Sequence, residues 1–340
     1  MKQRFFSPSE YHLNLMRRIP REFAWGGQEF APWQEALRAR LLELIGGFPE
    51  ERVPLNVEEL EEEETEEYVR IKIVFTAEEC ADVPAHLLVP RGRRGPLPAM
   101  VCLQGHSPGM HISVGEVRTE HDRELVEGDR DFALQAVRNG YVALALEQRC
   151  FGEREETEQE NRWDNRCLDA VFHSLMLGRT VIGERVWDVV RAVDLLQEQP
   201  EVDSERIACM GNSGGGTITF YAACLEPRIK VAVPSCVFCT YADSIMRIQH
   251  CGDNYIPGIL RVAEMGELAG LIAPRRVAFV AGEEDEIFPI HGVHKAFETA
   301  KEIFTAAGCP ENARLIVGPE GHRFYAEPAW PVINELMAEC

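Results

Sequence analysis

The chain has 340 residues, 45% of them hydrophobic, so it is long enough to bury about three quarters of the surface its unfolded form exposes. Its 56 acidic against 35 basic residues give a formal net charge of -21, a field that repels phosphates and argues against nucleic acid as a partner. No run reaches the ~18 consecutive apolar residues of a membrane span, and MKQRFFSPSEYHLNLMRRIP lacks the apolar centre of a secretory signal, so no membrane and a cytoplasmic location are expected. The eleven cysteines, odd in number and without framework spacing, suit reduced buried thiols.

Residues 1–65 read as a helical extension packed on the core. In PWQEALRARLLELIG, Trp33, Leu37, Leu41 and Leu44 share one helical face, and Gly46 with Gly47 stops the helix. The run EELEEEETEE, residues 58–67, reads as a solvated connector. Residues 66–340 then read as one α/β catalytic domain. Eight candidate strands follow in order: YVRIKIVF, AHLLVP, PAMVCLQG, YVALALEQ, RIACMGN, KVAVPSC, RRVAFVAG and ARLIVGPEG. Helical stretches such as RDFALQAVRNG, RVWDVVRAVDLLQEQP and HKAFETAKEIFTAAG alternate with them. The strands are apolar on both faces, which predicts a mostly parallel sheet with helices on each side. Two irregular stretches, 147–180 and 237–270, interrupt the alternation and read as lid-like insertions. The motif VPSCVFCTY pairs Cys236 and Cys239, but no second ligand pair accompanies them. They read as small apolar residues at a strand end.

The stretch CMGNSGGGTITFYAA sets Ser213 between a strand and a helix. Gly211, Ser213 and Gly215 match G-x-S-x-G in the strand–turn–helix context of a nucleophile elbow, where larger neighbours of the serine would clash. The Gly214 N–H, at the start of the helix, is placed to stabilise a developing oxyanion. A serine hydroxyl needs a base, and the base an orienting acid, in the order Ser, Asp, His. GEEDEIFP offers Glu283, Glu284, Asp285 and Glu286 after one strand, and PEGHRF offers His322 after the last. His291 and His294 follow the acid too closely, and His250 precedes it. The second oxyanion donor is expected in CLQGHSPGMHIS, where Gly105 permits close approach and His106 carries the N–H. Its imidazole could equally fix the loop by hydrogen bonding. A metal hydrolase built on His250, Cys251 and Asp253 lacks helical ligand spacing. A non-catalytic binding protein of the same fold would be expected to have lost a member of the serine set.

Together with EQRCFGERE, LMLGRTVIGERVWDVVRAVDLL, HCGDNYIPG and LIAPRRVAFVAGEEDEIFP, these motifs resemble the α/β-hydrolase superfamily, in particular its dienelactone-hydrolase-like and acetyl-xylan-esterase-like branch, over roughly residues 30–335. The resemblance implies a triad of Ser213, Asp285 and His322, with backbone donors at His106 and Gly214. It selects Asp285 among the four carboxylates, because that family places aspartate three residues after the glycine and before a proline. It implies hydrolysis of carboxylic esters of small acyl groups, often on sugars, with no cofactor and no metal. Lactones, thioesters and amides would suit the same machinery. Gly105, Arg149 and Phe151, with His250 and Tyr255, are expected to line the substrate pocket. Two departures stand out: Gln104 precedes Gly105 where the family usually has histidine, and Glu147, Arg149 and Cys150 replace an Asp-x-Arg-Gly pattern. With Glu147, Glu153, Glu155 and Glu156 in one insertion, neutral esters are expected to be preferred over anionic ones. The sequence sets no oligomeric state.

Overall fold

A computed structural model describes residues 4–93, 95–155 and 167–340. Its nine described strands form one sheet: β1 (Glu58–Glu64), β2 (Tyr68–Glu78), β3 (Ala81–Pro90), β4 (Leu97–Leu103), β5 (Val142–Leu146), β6 (Val202–Asn212), β7 (Ile229–Ser235), β8 (Arg276–Gly282) and β9 (Ala313–Gly318). The spatial order is β1-β2-β3-β5-β4-β6-β7-β8-β9. The pairings from β1 through β5 along this order are antiparallel. All the others are parallel.

Of the helices, α1 (Pro8–Met16) and α2 (Phe30–Leu44) precede the sheet, followed by α3 (Glu120–Leu125), α4 (Phe132–Arg138) and α5 (Leu168–Met176). Then come α6 (Val181–Glu198), α7 (Gly214–Leu225), α8 (Met265–Ala269), α9 (Ile290–Ala306) and α10 (Ala326–Ala338). The two-residue period of β4 explains why the sheet must be covered twice. Ala99, Val101 and Leu103 face a core shared with α2, α6, α7, α8 and α9. Met100 and Cys102 face a second core closed by α4 and α10. Trp33, Leu37 and Leu41 of α2 are buried in the first core, and Leu44 packs against it partly buried.

The acidic run is a correction. Residues 58–64 are not a connector but the edge strand β1, so the sheet begins before residue 66 and has nine strands rather than eight. All seven residues of β1 are exposed. An edge strand that buries neither face carries no apolar alternation, so its only signal is backbone pairing with β2. Arg70 on β2 also pairs with Glu63 at 2.6 Å. A charged edge resists pairing with another chain.

Around β4 the topology reverses: β5 lies on one side of it and β6 on the other. Such a switch leaves a crevice outside the carboxyl ends of the two strands. The loop from Gln104 leaves β4 there, and Ser213 follows β6. Among the described residues, no helix is long and apolar enough to cross a membrane.

Candidate active site

Ser213 joins β6 to α7 with φ 56° and ψ -123°, a left-handed conformation that costs a non-glycine residue of the order of 1–3 kcal/mol. Its N–H donates to Ser235 O at 2.9 Å, and its O accepts from Thr217 N at 2.8 Å, so the turn is held from both sides. The hydroxyl makes no capping bond to α7. The glycines are required by close approach: a Cβ on Gly215 would lie 2.2 Å from Leu103 O, and one on Gly105 would lie 2.6 Å from Asn212 O. Gly214 opens α7, so its N–H is one of the amides a helix leaves without an internal acceptor.

Asp285 follows β8 and His322 follows β9, at the same end of the sheet. His322 Nδ1 lies 2.8 Å from Asp285 Oδ2. The other oxygen, Oδ1, accepts from Ile287 N at 2.8 Å and Phe288 N at 3.0 Å. Burial pushes the Asp285 carboxyl up, but the bond to His322 and these two amides outweigh it and hold the group below its ordinary value. Phe288 stacks on the imidazole with ring centroids 5.8 Å apart. With Nδ1 facing a carboxylate, Nε2 is left as an acceptor, and it is buried without a hydrogen-bond partner among the described residues. Of the four carboxylates in GEEDE only Asp285 is buried, while Glu283, Glu284 and Glu286 are exposed. Cys236, just past β7, offers its sulfur within 4.8 Å of donor atoms of Asp285 and His322. That sulfur donates to Arg323 O at 3.1 Å, and the Cys239 sulfur approaches Pro289 O at 3.7 Å.

The loop after β4 is anchored by Gln104, whose Nε2 donates to Ser113 Oγ and Arg130 O, both at 2.7 Å. Arg130 in turn donates to His322 O at 3.3 Å, which links the two loops. His106 lies against the elbow, since a Cβ on Gly214 would meet its Nδ1 at 3.1 Å. Its Nε2 lies 3.2 Å from Asp253 Oδ2. Burial opposes the charged imidazole, yet bonds to Asp253 and Cys251 prevail and raise it to about 9. The same Asp253 oxygen accepts from Arg185 Nη1 at 2.6 Å, inside the core. Sequence reading noticed Asp253 only as a poor metal ligand and missed Arg185. The buried arginine within the α6 pattern was the available signal.

The other expected pocket residues are scattered. Phe151 meets the His106 ring edge-on at 5.1 Å, with the Arg185 guanidinium 4.5 Å above its face. His250 packs against Phe288 at 5.4 Å and meets Ser244 Oγ at 3.1 Å; burial, then repulsion from His322, lowers its pKa. Both border the loops described above. Arg149 is turned away into a network: it meets both Asp188 oxygens at 3.0 and 2.9 Å, Glu78 at 2.9 Å and Glu184 at 3.1 Å. Tyr255 is exposed on a separate cavity of about 210 Å³ that includes Tyr241, Ile245 and Asn254. Glu147 is not a surface charge. Burial raises it to about 7, although Met110 and Glu153 amides donate to it. Glu156 lies outside the described residues.

Comparison with known proteins agrees with this architecture. A family model described as "Abhydrolase family" matches residues 15–314. YtaP of Bacillus subtilis (strain 168), provisionally named a hydrolase, is 28% identical over 297 residues, covering 84% of this chain and 92% of that protein. Among solved structures, a protein from Bacteroides fragilis NCTC 9343, provisionally named an acetyl xylan esterase, superposes with TM-score 0.80 at 18% identity, covering 98% of this chain and 96% of the other. A glucuronoyl esterase from Solibacter usitatus superposes with TM-score 0.68 at 15% identity, covering 91% and 92%. An acetyl xylan esterase from Paenibacillus sp. R4 gives 0.59 at 17% identity, covering 96% and 99%. At these identities the structural likeness establishes a shared fold.

Proposed function

The chain belongs to the Abhydrolase family, and from that premise we propose that it is a serine carboxylesterase that removes small acyl groups, acetyl foremost, from sugar esters. His322 Nε2 takes the proton of Ser213 as the hydroxyl attacks the ester carbonyl. Asp285 holds the resulting imidazolium, and the N–H groups of Gly214 and His106 receive the oxyanion. The alcohol leaves with the proton from His322, and a water then repeats the sequence on the acyl-enzyme. Strain at Ser213 keeps the nucleophile exposed at the top of the turn.

One observation carries this reading: a half-buried imidazole, fixed through Nδ1 by an aspartate, keeps a buried Nε2 that has no hydrogen-bond partner among the described residues, at the end of the sheet where Ser213 follows β6. A buried acceptor left unpaired costs about 1–3 kcal/mol, which a waiting serine proton would offset during the reaction. The names of the structural neighbours support a sugar ester as substrate. The test is a panel of p-nitrophenyl esters, acetylated sugars and a glucuronoyl ester, run on wild type and Ser213→Ala. Hydrolysis of acetyl esters that disappears in the variant is the expected result. Turnover retained by Ser213→Ala would overturn the mechanism, and a strong preference for the glucuronoyl ester would overturn the acyl assignment.

A further inference from the structure

Beside the elbow, the loop after β4, the entry to α5 and the segment before Tyr255 bring four ligand-type side chains together. His106, Cys167, Cys251 and Asp253 each place a donor atom within 4.8 Å of the other three. We propose that these four residues form a binding site for a soft divalent cation of the zinc class.

The spacing suits a tetrahedral centre. With bonds of about 2.0–2.1 Å to nitrogen and oxygen and about 2.3 Å to sulfur, tetrahedral ligands sit about 3.3 Å (N to O) and about 3.5 Å (S to O) apart. His106 Nε2 is 3.2 Å and Cys167 Sγ 3.8 Å from the same Asp253 oxygen. Two sulfurs and an imidazole favour zinc-like ions over magnesium or calcium. The surroundings already hold the carboxylate as a ligand would need it: Arg185 Nη1 at 2.6 Å on Oδ2 and Asn254 Nδ2 at 3.1 Å on Oδ1. The His106 ring is 37% exposed and Cys251 half-buried, so the donors can be reached from solvent.

Charge balance gives Arg185 a reason to be there. With both cysteines bound as thiolates, a neutral imidazole, the carboxylate, the guanidinium and a divalent metal sum to zero. Without Arg185 the filled site would bury a net negative charge. The site does not depend on the esterase reading.

The experiment uses the full chain, reduced, stripped with chelator and titrated with Co²⁺. One Co²⁺ per chain is expected, with thiolate-to-cobalt charge-transfer absorption and tetrahedral ligand-field bands that stoichiometric Zn²⁺ abolishes. Cys167→Ser and Cys251→Ser should each weaken binding more than ~100-fold, beyond the ~10–100-fold typical of outer-shell changes. Cys340→Ser, at the exposed chain end, should leave binding unchanged. Because serine variants could misfold, wild type supplies an independent readout: its own thiolate-to-cobalt band, which one equivalent of Zn²⁺ should remove. Absence of the charge-transfer band, its persistence in stoichiometric Zn²⁺, or binding lost only in Cys236→Ser would overturn the proposal.

Discussion

His322 meets Asp285 through Nδ1 at 2.8 Å, and His106 meets Asp253 through Nε2 at 3.2 Å, so the loops around the Ser213 crevice carry two histidine–aspartate pairs of similar composition. What surrounds each aspartate separates them. Asp285 is held by two neutral backbone amides, so its charge remains available to an imidazolium. Asp253 is already neutralised by Arg185 at 2.6 Å, and its histidine is tied to it through Nε2. The first arrangement leaves a histidine nitrogen unpartnered, which is what a general base needs. The second fixes a ring in place. Residue type alone does not decide a histidine's role; the charge balance one contact further out does.

The comparison can be broken most directly at the nucleophile. Ser213→Ala should lower kcat on the order of 10⁶-fold with an unchanged circular dichroism spectrum. A fluorophosphonate should label Ser213 alone, and stoichiometric labelling elsewhere would remove the serine from its assigned place.

The two aspartates should then fail in different ways. Asp285→Asn is expected to lower kcat by up to ~10⁴-fold through the wrong imidazole tautomer, while the melting temperature moves little. Asp253→Asn instead strands the buried Arg185 charge and should cost about 3–5 kcal/mol of stability in denaturant titration. If Asp253→Asn left stability intact while abolishing kcat, the two pairs would have to exchange roles.

A pH series sharpens the contrast. The folded state raises His106 from 6.5 to about 9, so it binds this proton more tightly than the unfolded chain. The contribution is fully present below about pH 6.5 and is lost as pH rises through about 9. The full linkage would be about 3 kcal/mol, and with the ring 37% exposed, screening leaves about 1–2 kcal/mol. In chelator, the stability gap between wild type and His106→Gln should therefore close as pH rises from 6 to ~10. A gap independent of pH would mean that the Asp253 bond does not favour the imidazolium.

The smallest effects should come from the exposed neighbours of Asp285. Glu283→Gln, Glu284→Gln and Glu286→Gln are each expected to stay within about tenfold of wild-type kcat, or about 1.4 kcal/mol. One of them matching Asp285→Asn in damage would point to a different carboxylate.

Most of the sheet was legible because β2 to β9 must bury one or both faces, and burial writes a period of two or a continuous apolar run. β1 escaped notice since nothing buries it; a row of exposed glutamates, held by backbone pairing and surface ion pairs, looks the same as a solvated linker. Among the four carboxylates of GEEDE, only the family resemblance selected Asp285, and the structure adds that it is the one of the four that is buried. Arg149 was expected over the pocket, but its direction depends on Glu78 of β2 and on Glu184 and Asp188 of α6, three carboxylates that only packing collects.

Local steric demands and hydrophobic period, which act between near neighbours in the chain, determined the α/β order, the glycine-flanked turn at Ser213 and the loops that carry Asp285 and His322. Tertiary structure decided which charges meet. The joining of His106, Arg185, Cys167 and Asp253 links segments far apart in the chain, through contacts with no periodic signature. Their protonation states follow from burial and from one another, so they exist as a set only after the sheet and α6 have closed around them.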